Sequence, residues 1–227
     1  MTDTVSPPPP PPVPEGVSRA SEEAGFYHEA ALNATWTGVR LAMGGLSFAF
    51  GCFVFAYFYL RSLNSHGMWY PRGFKGPQPW AGAVIMALVV LSAVVQHTGL
   101  ARIKHGRKSA WQRAAVTALV LGLAAVGLQV WELMNLPFQP GRAGFASVFV
   151  GATPVFLIVL LAAMIWLETL IMRVRVIPEI SFVEQPPTYA EAFAVQRFQS
   201  SLSAFTLLWN YLAVVAVVFW VLFYLTA

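Results

Sequence analysis

The stretch LGLAAVGLQVWELMNLPFQPGRAGFASVF, Leu121–Phe149, decides how the chain is read. It opens as an apolar helix and then sets Gln129 and Glu132 at i and i+3, neighbours on one helix face. Asn135, Pro137, Pro140 and Gly141 follow and must end that helix. A second apolar run starts at Phe145. A carboxylate in the last turns of a membrane helix costs on the order of a few kcal/mol or more unless it pairs or reaches an interface. Two readings stay open. Glu132 snorkels to headgroup water, or Gln129 and Glu132 form a packed polar pair against a neighbouring helix or a partner subunit.

Working outward from this stretch, 57% of the 227 residues are apolar and only 11% are charged, against about 25% charged in soluble domains. The apolar residues fall into five blocks, so spans are expected near 41–60, 80–100, 114–135, 145–172 and 202–227. Each reaches the ~20 residues that cross a bilayer as a helix. The fold class is therefore all-α: a polytopic membrane helix bundle of five transmembrane helices over residues 25–227. Residues 1–24 contain the unbroken run Pro7–Pro12, which favours polyproline II and excludes a helix there. A disordered cytoplasmic tail is expected, with no apolar leader core in it.

The basic residues divide by side. Arg19, Arg40, Arg102, Lys104, Arg107, Lys108, Arg113, Arg173, Arg175 and Arg197 lie on one side of the predicted membrane, ten in all. Arg61, Arg72, Lys75 and Arg142 lie on the other, four in all. The positive-inside rule then puts the N-terminus in the cytoplasm and the C-terminus outside. Confined to loops and helix ends, these charges report topology rather than nucleic-acid binding. Gln129 and Glu132 fall towards the outer leaflet, and Gln96 and His97 towards the inner one. The latter two read as interfacial polar residues or as part of a proton path.

Resident cofactor chemistry finds few ligands. Cys52 is the sole cysteine; it permits no internal disulfide and reads as a small core residue. His97 is the one histidine within the spans, whereas a haem or copper centre in a bundle needs several. No CxxCH, phosphate-binding glycine loop, GxGxxG or HExxH occurs. No cofactor and no metal are expected on this chain. Paired helix breaks and inverted repeats, the marks of a transporter, are not visible. Pro154 is the only proline in the middle of a span. Gly44, Gly45 and Gly51 leave a thin face on the first span.

Several pieces together resemble subunit III of the haem-copper cytochrome c and quinol oxidases, in the shorter five-helix form. They are AYFYLR at Ala56–Arg61, Gln129-Val-Trp-Glu132 as the family's Q-x-x-E, an FxxGxxxxGSxF-like turn around Phe138–Phe149, and the closing Trp209-Asn-Tyr and Trp220-Val-Leu-Phe-Tyr-Leu. Two positions depart from the family. Gly44-Gly45-Leu46-Ser47 stands where a carboxylate is usual, and Phe156 and Val159 stand where TGxHxxH has its histidines. The resemblance implies an accessory subunit without redox centres, beside oxidase subunits I and II, in a bacterial cell (inner or plasma) membrane. Haem and copper would sit in the partner catalytic subunit, and phospholipid would be held in a cleft. Arg61, His97, Trp131 and Trp209 are the candidate contacts to lipid or partner. An accessory subunit of a nitric oxide reductase system, a small membrane transporter and an assembly factor are the alternatives.

Overall fold

The structure, a computed structural model, describes residues 15–64, 67–178, 182 and 189–226. The polyproline run lies outside the described residues. Five helices follow in order: α1 (Glu15–Ser62), α2 (Pro79–Lys104), α3 (Lys108–Met134), α4 (Gly144–Val176) and α5 (Tyr189–Trp220). A π-helical turn, Val221–Leu225, continues α5. Among the described residues there is no strand. All five helices are long and apolar enough to cross a membrane, as in a multi-pass membrane protein.

The helices outrun the predicted spans because hydropathy stops at the first charges while helix propensity does not. Lys, Arg, Glu and Gln are good helix formers and carry a span on past the apolar layer. Thus α1 starts at Glu15, inside the segment read as tail, and α5 starts at Tyr189, just after Pro186 and Pro187. The basic connection Ala101–Arg113 shrinks to His105–Arg107. There Gly106, at φ 76°, closes α2 in a Schellman motif. Its N–H donates to Ile103 O at 2.9 Å and that of Arg107 to Arg102 O at 3.1 Å. Lys108 adds a link by donating from Nζ to Ile177 O after α4.

So short a turn makes α2 and α3 an antiparallel hairpin. Gly99 sits at their closest approach, where a Cβ would lie 2.9 Å from Ala114 Cβ. α5 packs among α1, α2 and α4, and α3 packs on α2 and α4. α1 is the outer member. Its inward residues are Val39, Met43, Leu46, Phe50, Phe53 and Tyr57, spaced alternately four and three apart. That spacing gives a narrow coiled-coil-like seam rather than a broad buried face.

Three consecutive residues of α5 tie the middle of the bundle. Successive helical positions turn by about 100°, so they reach different neighbours. Trp209 Nε1 donates to Ser92 Oγ at 3.1 Å, and Ser92 Oγ donates to Ala118 O at 2.7 Å. Asn210 Nδ2 lies 3.3 Å from His97 Nδ1, and Tyr211 OH lies 3.0 Å from Ser47 Oγ. Trp209 is therefore a core residue, 1% exposed, and not the lipid or partner contact expected. Gln96 is also wholly buried instead of interfacial, and Cys52 is exposed on α1 instead of packed in the core.

Gly99→Val should force α2 from α3 and cost about 1–3 kcal/mol, the usual range for overpacking. Gly127, beside open space, should accept alanine without loss. Thermal melts of the two purified variants check the contrast; equal melting of both would refute the close approach.

Candidate functional site

Alternating helix directions bring the last turns of α1, α3 and α5 and the first turns of α2 and α4 to one end. Glu132 is 3% exposed there and Gln129 is 7%. Gln129 Nε2 donates to Glu132 Oε2 at 2.9 Å. The hydroxyl of Tyr224 lies 2.7 Å from Glu132 Oε1 and 2.8 Å from Oε2, astride both oxygens. Of the two readings, the packed pair is the one the structure adopts, and its neighbour is α5. A buried carboxylate needs such charge-assisted donors.

Tyr224 does not announce itself in the sequence. It is 92 residues from Glu132, and a tyrosine near the end of a span reads as an interfacial anchor. Two features place it. The π-helical turn has more residues per turn than an α-helix, so it re-aims the last side chains of α5. On α2, Gly82 leaves a gap that the ring fills; a Cβ there would lie 2.3 Å from Tyr224 Cζ. That glycine beside Trp80 is the local signal, though it carries no hint of its partner.

Behind the carboxylate stands an aromatic wall. Phe149 meets Tyr224 at 6.1 Å and Phe223 at 5.3 Å between ring centres. The loop from α1 to α2 adds Trp69 and Phe74. Its backbone carbonyls Met68 O and Trp69 O accept from Gly144 and Phe145 N–H at 3.1 and 3.3 Å. Gly144 permits this approach, since a Cβ would lie 2.9 Å from Trp69 Cε3. Tyr57 packs edge-on to Trp69 at 4.9 Å and is fully buried.

The end of α1 also grips the end of α5. Tyr57 OH donates to Thr226 O at 2.9 Å. Arg61 Nη1 donates to the same carbonyl at 2.6 Å and reaches Tyr57 OH at 3.3 Å. Arg61 thus has an internal partner. His97 is exposed on α2 beside Asn210. Trp131 is 41% exposed, its ring 5.8 Å from that of Trp80. It lies two residues from Gln129 but on another face of α3.

A second feature lies nearer the opposite, basic end. An apolar groove of about 720 Å³ runs between α1 and α4, lined by Gly38, Val39, Gly45, Ile158, Val159 and Trp166 among others. Among the described residues, no three His, Cys, Asp or Glu side chains gather where they could hold a metal ion. Comparison of the chain with models of protein families and with curated proteins finds no match.

Tyr224→Phe should remove the interhelical donor to Glu132 and lower stability by about 1–3 kcal/mol, the cost of an unsatisfied buried polar group. Gly82→Ala should do the same from α2, by displacing the ring. Unchanged melting of Tyr224→Phe would show that the hydroxyl contributes nothing net.

Proposed function

We propose that the chain is a non-catalytic accessory subunit of a membrane haem-copper terminal oxidase, of the subunit III kind. The observation that carries the reading is the Gln129–Glu132 pair, sealed by Tyr224. It occupies the helix end where the resemblance sets the family's Q-x-x-E. In this reading the complex passes electrons from cytochrome c or quinol to oxygen and pumps protons, with haem and copper in the catalytic partner. This chain stabilises that partner and retains lipid. The groove between α1 and α4 suits an acyl chain: apolar, elongated along the helices and open at the side.

A packing role fits how the polar groups are used. Where the resembling family has a carboxylate in the first span, this chain has Ser47, hydrogen-bonded to Tyr211. Where the family has histidines, it has Phe156, which packs on Phe50 and Phe219 at 6.1 and 5.9 Å. Ser47 and Phe156 help hold helices together and put neither a carboxylate nor an imidazole at those two positions. The charge bias supports an orientation with the N-terminus cytoplasmic, and the bacterial cell (inner or plasma) membrane is what the resemblance implies.

In mild detergent the chain should purify with haem-bearing subunits, while the isolated chain shows no haem absorption. Stripping it from the complex should leave initial oxygen uptake near normal and shorten its survival during turnover. A haem spectrum from the isolated chain, or purification without any haem protein, would overturn the reading; nitric oxide consumption would move it to the reductase alternative.

Orientation has its own test. His105→Cys, in a chain with Cys52 replaced, should label with impermeant maleimide only from the cytoplasmic side. The neighbouring Gly106 is unsuitable because its positive φ disfavours a side chain. Labelling from outside would invert the topology.

A further inference from the structure

The outward side of α4 carries one charge that nothing in the chain answers. Glu168 is exposed and makes neither a hydrogen bond nor an ion pair among the described residues. On the same face, one turn away on either side, stand Ile165 and Met172, both exposed, with Leu161 a turn beyond Ile165. The edge of α3 continues this strip. Its exposed Val116 shares a crevice with Ile171 and Arg175 of α4, and Val120 lies one turn further along.

Glu168 stands well inside the basic end of the bundle. It precedes Arg173 by five residues, about 7 Å along the helix at 1.5 Å per residue. The packing on α3 gives the same depth. Gly122 meets Met164, and towards the basic end Arg113 lies nine residues from Gly122 while Glu168 lies four from Met164. The difference is again five residues. Side-chain direction adds to this, because Cα–Cβ bonds tilt towards a helix's N-terminus. α4 begins at the Glu132 end, so the tilt aims Glu168 into the apolar layer and away from water near Arg173. A lysine or arginine stem can climb back to the interface; a glutamate stem is short.

Glu132, at the opposite end, shows what a carboxylate at such depth requires, since it receives donors from Gln129 and Tyr224. Glu168 has no such donor, and Arg113 and Arg175 beside the crevice make no ion pair with it. Ionisable groups within membrane spans pair with one another or with donors as a rule. We propose that this face of α4, with the adjoining edge of α3, is the docking surface for a transmembrane helix of another subunit. That helix presents an arginine, lysine or histidine to Glu168, about 7 Å inside the basic end, and apolar side chains to Ile165 and Met172. Charge complementarity selects this occupant. Lipid tails offer a carboxylate no donor, and a second copy of the same face, docked about a two-fold axis, sets two carboxylates against each other. That the partner is the haem-bearing subunit rests on the oxidase reading; the surface itself does not.

The test uses the chain purified with its partners from native membranes in mild detergent. Glu168→Leu should lower retention of the partner about tenfold or more, the scale of a lost hydrogen bond to a charged group. The isolated variant should melt no lower than the unaltered chain, because no internal contact is removed, and Glu168→Gln should keep part of the hold. A photo-crosslinking amino acid in place of Met172 should couple to one transmembrane peptide of the partner, with a basic residue within a turn of the attachment point. The same group in place of Phe48, exposed on α1, should not reach that peptide. Crosslinks from position 172 to lipid alone, or to a second copy of this chain, would overturn the proposal. So would undiminished retention of the partner by Glu168→Leu, even with a haem-bearing subunit still bound and the oxidase reading intact. A crosslink to a basic transmembrane peptide of a partner without haem would support the surface and remove the oxidase reading.

Discussion

One carboxylate buried at an apolar end of the bundle constrains the elements around it. Glu132 can remain there only with donors close at hand. Gln129 supplies one from its own face of α3, and Tyr224 supplies the other from α5. Tyr224 reaches it because α5 ends in a π-helical turn and because Gly82 leaves room for the ring. The terminal turn is in turn held by Tyr57 and Arg61 at Thr226. Four of the five helices are thus coupled through one ionisable group, a network whose members are worth more together than singly.

The middle of the bundle is organised on a different basis. At Trp209-Asn-Tyr, side-chain hydrogen bonds join α5 to α2 and α1 without a carboxylate, lysine or arginine. Away from these contacts, apolar helices gain little from each other over lipid, so association rests on fit and on small residues. Gly99 against Ala114 shows this in the α2–α3 hairpin. α1 is held by its narrow seam, by the Ser47–Tyr211 contact, by Ser200 Oγ donating to Leu32 O at 2.7 Å, and by the grip near Thr226. Towards its basic end a groove opens between α1 and α4, beside Gly38, Gly45 and Trp166.

How much of this could be read in advance depends on the range of each signal. The five spans were legible because hydropathy and length are local quantities, as was the i, i+3 pairing of Gln129 and Glu132. Helix ends were less so: hydropathy does not register that Arg102 and Lys104 continue α2, or that Gly106 then closes it. Side-chain direction was hardest, because a helix with apolar residues all round carries no amphipathic stripe to orient it. Trp209 turned inward and Cys52 outward for that reason. Tyr224 and Gly82 were missed because their meaning exists only when α2, α3 and α5 are brought together.

A membrane helix can exchange one apolar residue for another with little consequence, so a role in packing leaves few fixed residues in a sequence. A role in proton transfer or redox chemistry needs titratable or ligating groups at set positions. Here the polar positions are few, and the structure commits most of them internally: Ser47 to Tyr211, Ser92 to Trp209 and Ala118, Glu132 to Gln129 and Tyr224. Phe156 fills its position with ring contacts on both sides. Groups so engaged specify which helices meet and at what register. They leave the remaining apolar surface, including the groove beside α1, as the part of the molecule free to meet lipid or a partner.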